Sequence, residues 1–285
     1  IASSEDSVDV MELAGATHVL PLRRQLGEQL AGRINAGHAE LHEIGRVRDL
    51  VVAEFPVQNT PLAGKTVRET RIRELLGVSM VGIWEHAELV PVRPDRRLSD
   101  QCMPVVVGTE AQMAELNELL YIYDTNWNPV IVIGGGKVGR SATRALRRKG
   151  VRVHLIERKA ELVERWKGVA DRVFVGDAAN RELLAEAGLE EAPAVLLTTN
   201  DDATNVYLAV YCRRLNRELR IVSRVTHQRN IASIRRAGAD LVLSYDSLGV
   251  ETITAIARGR PLVLVGEGIE LLETGTPREL EGKTL

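Results

Sequence analysis

Only two cysteines occur in the 285 residues, Cys102 and Cys212, far apart and at no zinc-binding spacing. That excludes a disulfide-rich secreted scaffold and fits a reducing compartment. An excess of positive charge is missing too: 37 Lys and Arg stand against 39 Asp and Glu, a net of −2. A general nucleic-acid binder needs a net basic face, so no nucleic-acid partner is expected. No apolar run approaches the roughly 18 residues that cross a bilayer. The opening IASSEDSVDV is neither a signal peptide nor a start at Met, and the chain reads as a soluble piece of a longer protein. What is present is an ordinary 45% of hydrophobic residues, in a length that suggests about two domains.

The chain repeats itself. AGATHVL at 14–20 is echoed by AGADLVL, which starts at 237. Gly64-Lys65-Thr66 is echoed by Gly282-Lys283-Thr284. The offsets, 223 (14 against 237) and 218 (64 against 282), are close enough to belong to one repeat with small length changes. Between the echoes the texture changes twice. Residues 1–48 read as mostly helical, with a short strand at His18-Val19-Leu20. Residues 50–118 hold short β runs separated by Pro, Gly and Asp turns, with helical stretches at Thr66–Leu76 and Glu110–Leu120. YIYDTNWN at 121–128 reads as a linker, and from Pro129 strand-like runs alternate with helices, the pattern of βαβ units and a parallel sheet.

The sharpest motif is Gly134-Gly135-Gly136-Lys137-Val138-Gly139, which fits G-x-G-x-x-G. It follows the strand VIVI and opens a helix with Val138, Ala142, Ala145 and Leu146 on one face. The next strand ends in Glu157, 21 residues after Gly136. These are the parts of a dinucleotide fingerprint. Gly134 permits the tight turn, Gly136 lets the backbone approach a pyrophosphate, and Gly139 lets helix and strand pack closely. The helix N-terminus offers unpaired N–H groups to the phosphates, and Lys137 adds a point charge. Glu157 is placed to accept from ribose hydroxyls and to repel a 2′-phosphate, which favours NAD or NADH over the 2′-phosphorylated form; Arg158 partly offsets that repulsion. ATP, ADP and AMP share the free ribose and remain alternatives. Gly176, Asp177 and Ala178 follow the third strand, and Thr198, Thr199 and Asn200 the fourth, all at strand ends where such folds bind ligands. Asp201 and Asp202 read better as a helix cap with an acidic first turn. Arg224, at the end of the fifth strand, reads equally as a phosphate ligand or as half of a structural salt bridge.

GGGKVG, the strand ending in Glu157, GDAANRELLAEAGL, LLTTNDD and AGADLVLS, in this order, resemble an RCK domain (regulator of potassium conductance), also called the Trk-type NAD-binding or TrkA-N domain. EFPVQNTPLAGKTVRETRIRELLGVSMVGI resembles the small β-rich C-terminal (TrkA-C-like) lobe that follows it. The resemblance implies an α/β protein: a Rossmann-like doubly wound parallel sheet lobe plus a small β-rich α+β lobe, in tandem repeat truncated at both ends. It divides the chain into a remainder of a first Rossmann lobe with crossover helices (1–48), a C-terminal lobe (49–120), the linker (121–128), a second Rossmann lobe (129–262) and the start of a second C-terminal lobe (263–285). It implies phosphate binding by Gly134, Gly136 and Gly139, ribose binding by Glu157, and adenosine contacts from Asp177, Ala178 and Thr199. Many members carry Arg where this chain has Lys137. Lobes of this family pair through their crossover helices into a ring beneath a potassium pore, so the implied role is a nucleotide-sensing, gating regulatory module of a potassium channel, oligomeric and on the cytoplasmic face of the membrane. The alternative is a free-standing Trk-type uptake subunit.

An NAD-dependent oxidoreductase is the rival class, and it needs a positioned acid or base. His154 lies inside a strand and reads as packed core, and His227 has no evident partner, so no enzyme is expected. His38 and His42 stand four apart in a segment read as helix, a spacing that holds metals, although a solvated face is the better reading beside Glu40 and Glu43. Arg71, Arg73 and Glu74 read as surface. Glu85, Glu88, Asp95 and Asp100 are candidates for a divalent cation, without an EF-hand-type loop. Arg23 and Arg24 with Leu26, Leu30 and Ile34 make an amphipathic helix, for an interface or for its own lobe.

Overall fold

The structure, a computed structural model, describes residues 1–2, 6–34, 41–58, 60–121, 127–166 and 168–259. Helices α1 (Asp6–Leu13) and α2 (Leu22–Gly32) come first. Leu22, Leu26 and Leu30 recur every four residues on α2 and form one buried stripe, while Arg23 and Arg24 face solvent. Residues 18–20 were expected as a strand but lie in none; the Leu20 carbonyl accepts from the Ala2 N–H at 2.9 Å instead. A second correction concerns His42–Val47, expected within a helical segment. It is strand β1, folded back on β2 (Leu50–Glu54) through a turn with Arg48 at φ 52°.

The small lobe continues with α3 (Val67–Thr70), α4 (Ile72–Leu76), β3 (Ser79–Glu85), β4 (Glu88–Val90), β5 (Met103–Thr109) and α5 (Glu110–Tyr121). Its five strands form an antiparallel sheet in the order β1-β2-β5-β3-β4. The helical stretch expected over Thr66–Leu76 breaks in two at Arg71, whose φ of 51° ends α3 and begins α4. Thr66 and Glu69 form a reciprocal capping box at the start of α3 (2.7 and 3.3 Å). The first Gly-Lys-Thr is therefore a turn followed by a helix cap. Its echo at 282–284 and the lobe expected from 263 fall outside the described residues, as do residues 122–126 of the linker.

From Val130 the chain alternates strand and helix: β6 (Val130–Ile133), α6 (Lys137–Arg148), β7 (Val153–Glu157), a 3-10 segment (Ala160–Trp166), β8 (Arg172–Val175), α7 (Arg181–Glu186), β9 (Ala194–Leu197), α8 (Asp202–Leu215), β10 (Arg220–Val225), α9 (Ile231–Arg236), β11 (Leu241–Ser244) and α10 (Tyr245–Ala257). All six strands are parallel, in the order β11-β10-β9-β6-β7-β8. β6 and β9 are apolar and buried at every position, as central strands covered on both faces must be. The order reverses between β6 and β9, so a crevice opens at their carboxyl ends.

Three contacts tie the lobes together. Gly27 of α2 lies so close to α6 that an added methyl group would sit 2.5 Å from the Val138 carbonyl oxygen and 2.6 Å from Ser141 Cβ. The β3–β4 hairpin tip, His86 and Ala87 at φ 49° and 59°, buries Ala87 in a core cluster of the parallel-sheet lobe. At the bottom of that lobe, Arg33 Nε meets Glu54 Oε1 at 2.5 Å with both side chains wholly buried. Arg220, also buried, donates from Nε to the Arg33 carbonyl (3.2 Å) and from Nη1 to the Gln101 carbonyl (3.4 Å). Burial pushes the Glu54 carboxyl up, against the pull of Arg33 and Arg220.

Glu54→Ala leaves the Arg33 guanidinium buried without its carboxylate, so it is expected to lower unfolding stability by about 3–5 kcal/mol in urea titration. His42 packs against Gly32 and Gln29, and its pKa is lowered to about 3, first by burial and then by Arg33 and Lys149. The folded state thus prefers neutral imidazole. Its contribution is complete above the unfolded pKa of about 6.5 and is lost as pH falls towards 3, by at most about 1.4 kcal/mol per unit. The difference in stability between wild type and His42→Gln should shrink accordingly when the two are unfolded at pH 7 and pH 5.

Candidate functional site

The Gly-rich loop is held by backbone contacts that dictate two of its glycines. Gly134 has φ 105°, and a methyl group there would meet Thr199 N at 2.9 Å. One on Gly139 would collide with the Gly134 carbonyl. Gly136 differs: its φ is −73°, and a methyl group would meet nothing within 4 Å. The fold does not need glycine at 136, so its absent side chain leaves room in front of the helix.

Gly136 is also the N-cap of α6, and no side chain caps that end. By contrast, α7, α8 and α10 are capped by Asn180, Asp201 and Ser244. The first turn of a twelve-residue helix thus points its N–H groups and its partial positive charge at the crevice, the arrangement that holds anions.

Around it lies an open cleft of about 360 Å³. Ten of the expected residues line it: Gly134, Gly136, Glu157, Arg158, Gly176, Asp177, Ala178, Thr198, Thr199 and Asn200. They come from the ends of β6, β7, β8 and β9, which the parallel order gathers on one edge. Glu157 is buried and already committed at both oxygens: Oε2 accepts from Gly135 N at 2.5 Å and Oε1 from Lys159 N at 2.9 Å. A carboxylate has about four acceptor sites, so capacity remains for ribose hydroxyls. Thr198 bonds the Ile133 and Gly134 carbonyls (3.0 and 2.9 Å) and pins the loop to β9.

Five expected residues stand back from the cleft. Gly135 and Val138 are buried, Gly139 is packed on Gly134, and Lys137 is exposed at the first position of α6. Arg224 is buried behind Asn200, which accepts from its Nη1 at 2.8 Å; its Nη2 donates to Thr226 Oγ1. Burial lowers its pKa, opposed by Asp202. Asp201 caps α8, as read from the sequence. Asp202 is no simple first-turn acid. It accepts from the Thr226 and His227 amides and from Asn230 Nδ2, fastening the loop after β10.

Other residues were missed. Lys159, Leu162, Thr204 and Leu208 line the cleft, and fully buried Asn205 bonds Thr199 and the Arg224 carbonyl. Lys159 and Leu162 follow Glu157 closely enough to have been suspected. Asn205 carried no signal beyond a polar residue on a helical face.

Among the described residues no acid–base pair assembles here. His154 bonds the Ala187 carbonyl at 2.8 Å and packs on Phe174. His227 faces Asp246 at 3.4 Å, outside the cleft. Burial pushes both cysteine thiols up to about 12, so neither is a ready nucleophile. Glu85, a cation candidate, is held by Arg96 at 3.0 and 2.6 Å, and its hydrogen bonds lower its pKa. Among the described residues no three metal-ligating side chains converge. His38 and Glu40 lie outside them, and His42 is on a strand. Arg71 and Glu74 pair on the surface at 2.9 Å. No helix among the described residues is long and apolar enough to cross a membrane.

Residues 130–245 match the family model of the TrkA-N domain. The crystal structure of the GsuK RCK domain is 33% identical, with a TM-score of 0.69, over 90% of this chain and 55% of that one. The GsuK channel bound to NAD is 34% identical, with a TM-score of 0.68, over 90% of this chain and 46% of that one. The Trk system potassium uptake protein TrkA of Vibrio alginolyticus is 31% identical over 105 residues, 36% of this chain and 22% of the relative. The chain thus spans about a quarter or less of the curated relatives it matches and about half of these two solved chains.

Proposed function

We propose that this chain, whose residues 130–245 are a TrkA-N domain in an RCK-type fold, is a nucleotide-sensing regulatory module of a potassium transport system. The observation that carries the reading is the uncapped N-terminus of α6 behind Gly136, a glycine at which an added methyl group would meet nothing in the fold. A diphosphate fits that end of the helix, with the adenosine ribose at Glu157 and the base towards Asp177 and Ala178. NAD or NADH is the favoured occupant, supported by the relative solved with NAD. ADP, ATP and AMP offer the same ribose and remain the alternative. Arg224 acts indirectly, by holding Asn200.

Bound nucleotide shifts the module only if it binds one arrangement of the lobes better than another. Coupling to a channel pore is the reading adopted, because the solved likenesses covering most of the chain are of a channel. A free-standing uptake subunit is the alternative, supported by the Trk relative. Hydride transfer is the less favoured reading, because the relatives named above belong to potassium transport systems. The lobe boundaries proposed from sequence need one adjustment: His42–Val47 pairs with β2 and goes with the small lobe.

Oligomerisation has its own support. The 223-residue offset carries Leu22, the first residue of α2, onto Tyr245, the first of α10. α2 packs its Gly27 against α6 and buries its Leu30; their counterparts Val250 and Ile253 on α10 are 65% and 48% exposed. A second lobe covering that face, in the ring-type assembly beneath the membrane, accounts for the difference.

Isothermal titration of the whole chain with NADH and with ADP tests the site. Gly136→Asp should abolish measurable binding, because it places a carboxylate where phosphate sits. Glu157→Ala should weaken it by about 1.5–3 kcal/mol. Unchanged affinity in both variants, or no binding by the wild type, would overturn the assignment. Ile253→Glu should leave nucleotide affinity intact and lower the sedimenting mass; an unchanged mass would remove the pairing role of α10.

A further inference from the structure

The middle glycine of the loop is explained neither by its backbone nor by a ligand. Gly135 lies at negative φ and is buried away from the cleft. A methyl group there would sit 2.7 Å from Glu157 Oε2 and 2.8 Å from Trp166 Nε1, with Trp166 Cε2 at 3.1 Å. Two side chains therefore crowd one point beneath the loop, the carboxylate that faces the ribose and an indole.

Trp166 ends the 3-10 segment Ala160–Trp166, whose Leu162 lines the cleft. It is 1% exposed, heads the largest fully buried side chains, and belongs to the core cluster shared by β6, β7 and α6. A ring so enclosed cannot turn aside without opening the core. Glu157, in contrast, sits at a strand end with three rotatable bonds. Its carboxylate is held by the Gly135 and Lys159 amides, and the indole Nε1 lies within 3 Å of the same point beside Gly135 as the carboxylate does.

We propose that Trp166 is a positioning residue for ribose recognition: its indole is the wall that keeps the Glu157 carboxylate and the Gly135 amide in register before any ligand arrives. Pre-set geometry spares the ligand the cost of ordering that side chain. Gly135 is glycine because a side chain would take the space these two groups share. The inference rests on the nucleotide reading of the cleft and assigns the ribose end to a residue outside the phosphate-loop motif.

The test is titration of the whole chain with ADP and with 2′-deoxy-ADP. A lost hydrogen bond to a charged acceptor should make the wild type prefer ADP by roughly tenfold or more. Trp166→Phe should bring that preference towards unity. Gly135→Ala should do the same from the opposite side, by displacing the carboxylate, and it carries the test should the tryptophan variant fail to fold. Thermal unfolding is followed in parallel. A variant that melts earlier yet keeps the wild-type preference shows a core filler only and overturns the proposal. A wild type that binds both ligands equally also overturns it. A wild type that binds neither overturns the nucleotide reading itself, which separates the two failures.

Discussion

Helix α6 serves three neighbours at once, and the arrangement depends on reconciling them. Its first turn must stay open towards the cleft, one side must sit against β6 and β7, and another must accept α2. Small residues make this feasible. Gly139 meets the Gly134 carbonyl, Ser141 and Ala142 meet Gly27, and Ala142 and Ala145 are buried. Larger side chains at these positions would push the helix off the sheet or α2 off the helix. Either shift moves the N-terminus relative to Glu157, because loop and carboxylate are joined by the 2.5 Å bond at Gly135.

The parallel-sheet lobe was readable because its signals are local. GGGKVG, the apolar runs of β6 and β9, and Glu157 at a strand end act within a few residues, and the structure gathers them on one edge as expected. The small lobe was less so. Whether HEIGRV is helix or strand is decided by pairing with LVVAE across a two-residue turn that needs a positive φ at Arg48, a conformation arginine does not advertise. The break at Arg71 is hidden for the same reason. Within the cleft, residues adjacent to a motif were found, and those delivered by a helix, such as Thr204, Asn205 and Leu208, were not. Trp166 could not be placed at all, because only the three-dimensional path of the 3-10 segment brings it under Gly135.

The buried charges at the lobe junction follow another logic. Arg33, Glu54 and Arg220 come from the end of α2, from β2 and from the start of β10, so the network closes only when three separate segments meet. Taking such groups out of water is unfavourable unless each finds its partner. The set therefore penalises misplaced docking more than it rewards correct docking. Ala87, at positive φ inside the other lobe's core, is a second point at which the lobes interlock.

The open first turn of α6 and the crossing at Gly27 lie along one straight element. Twelve residues of α-helix make a stiff rod of roughly 18 Å. At its far end Arg148 reaches Glu28 of α2 at 3.2 Å. A tilt of about three degrees at one end carries the other by about 1 Å over such a length. The rod thus joins the open end at the cleft to the surface on which α2 rests.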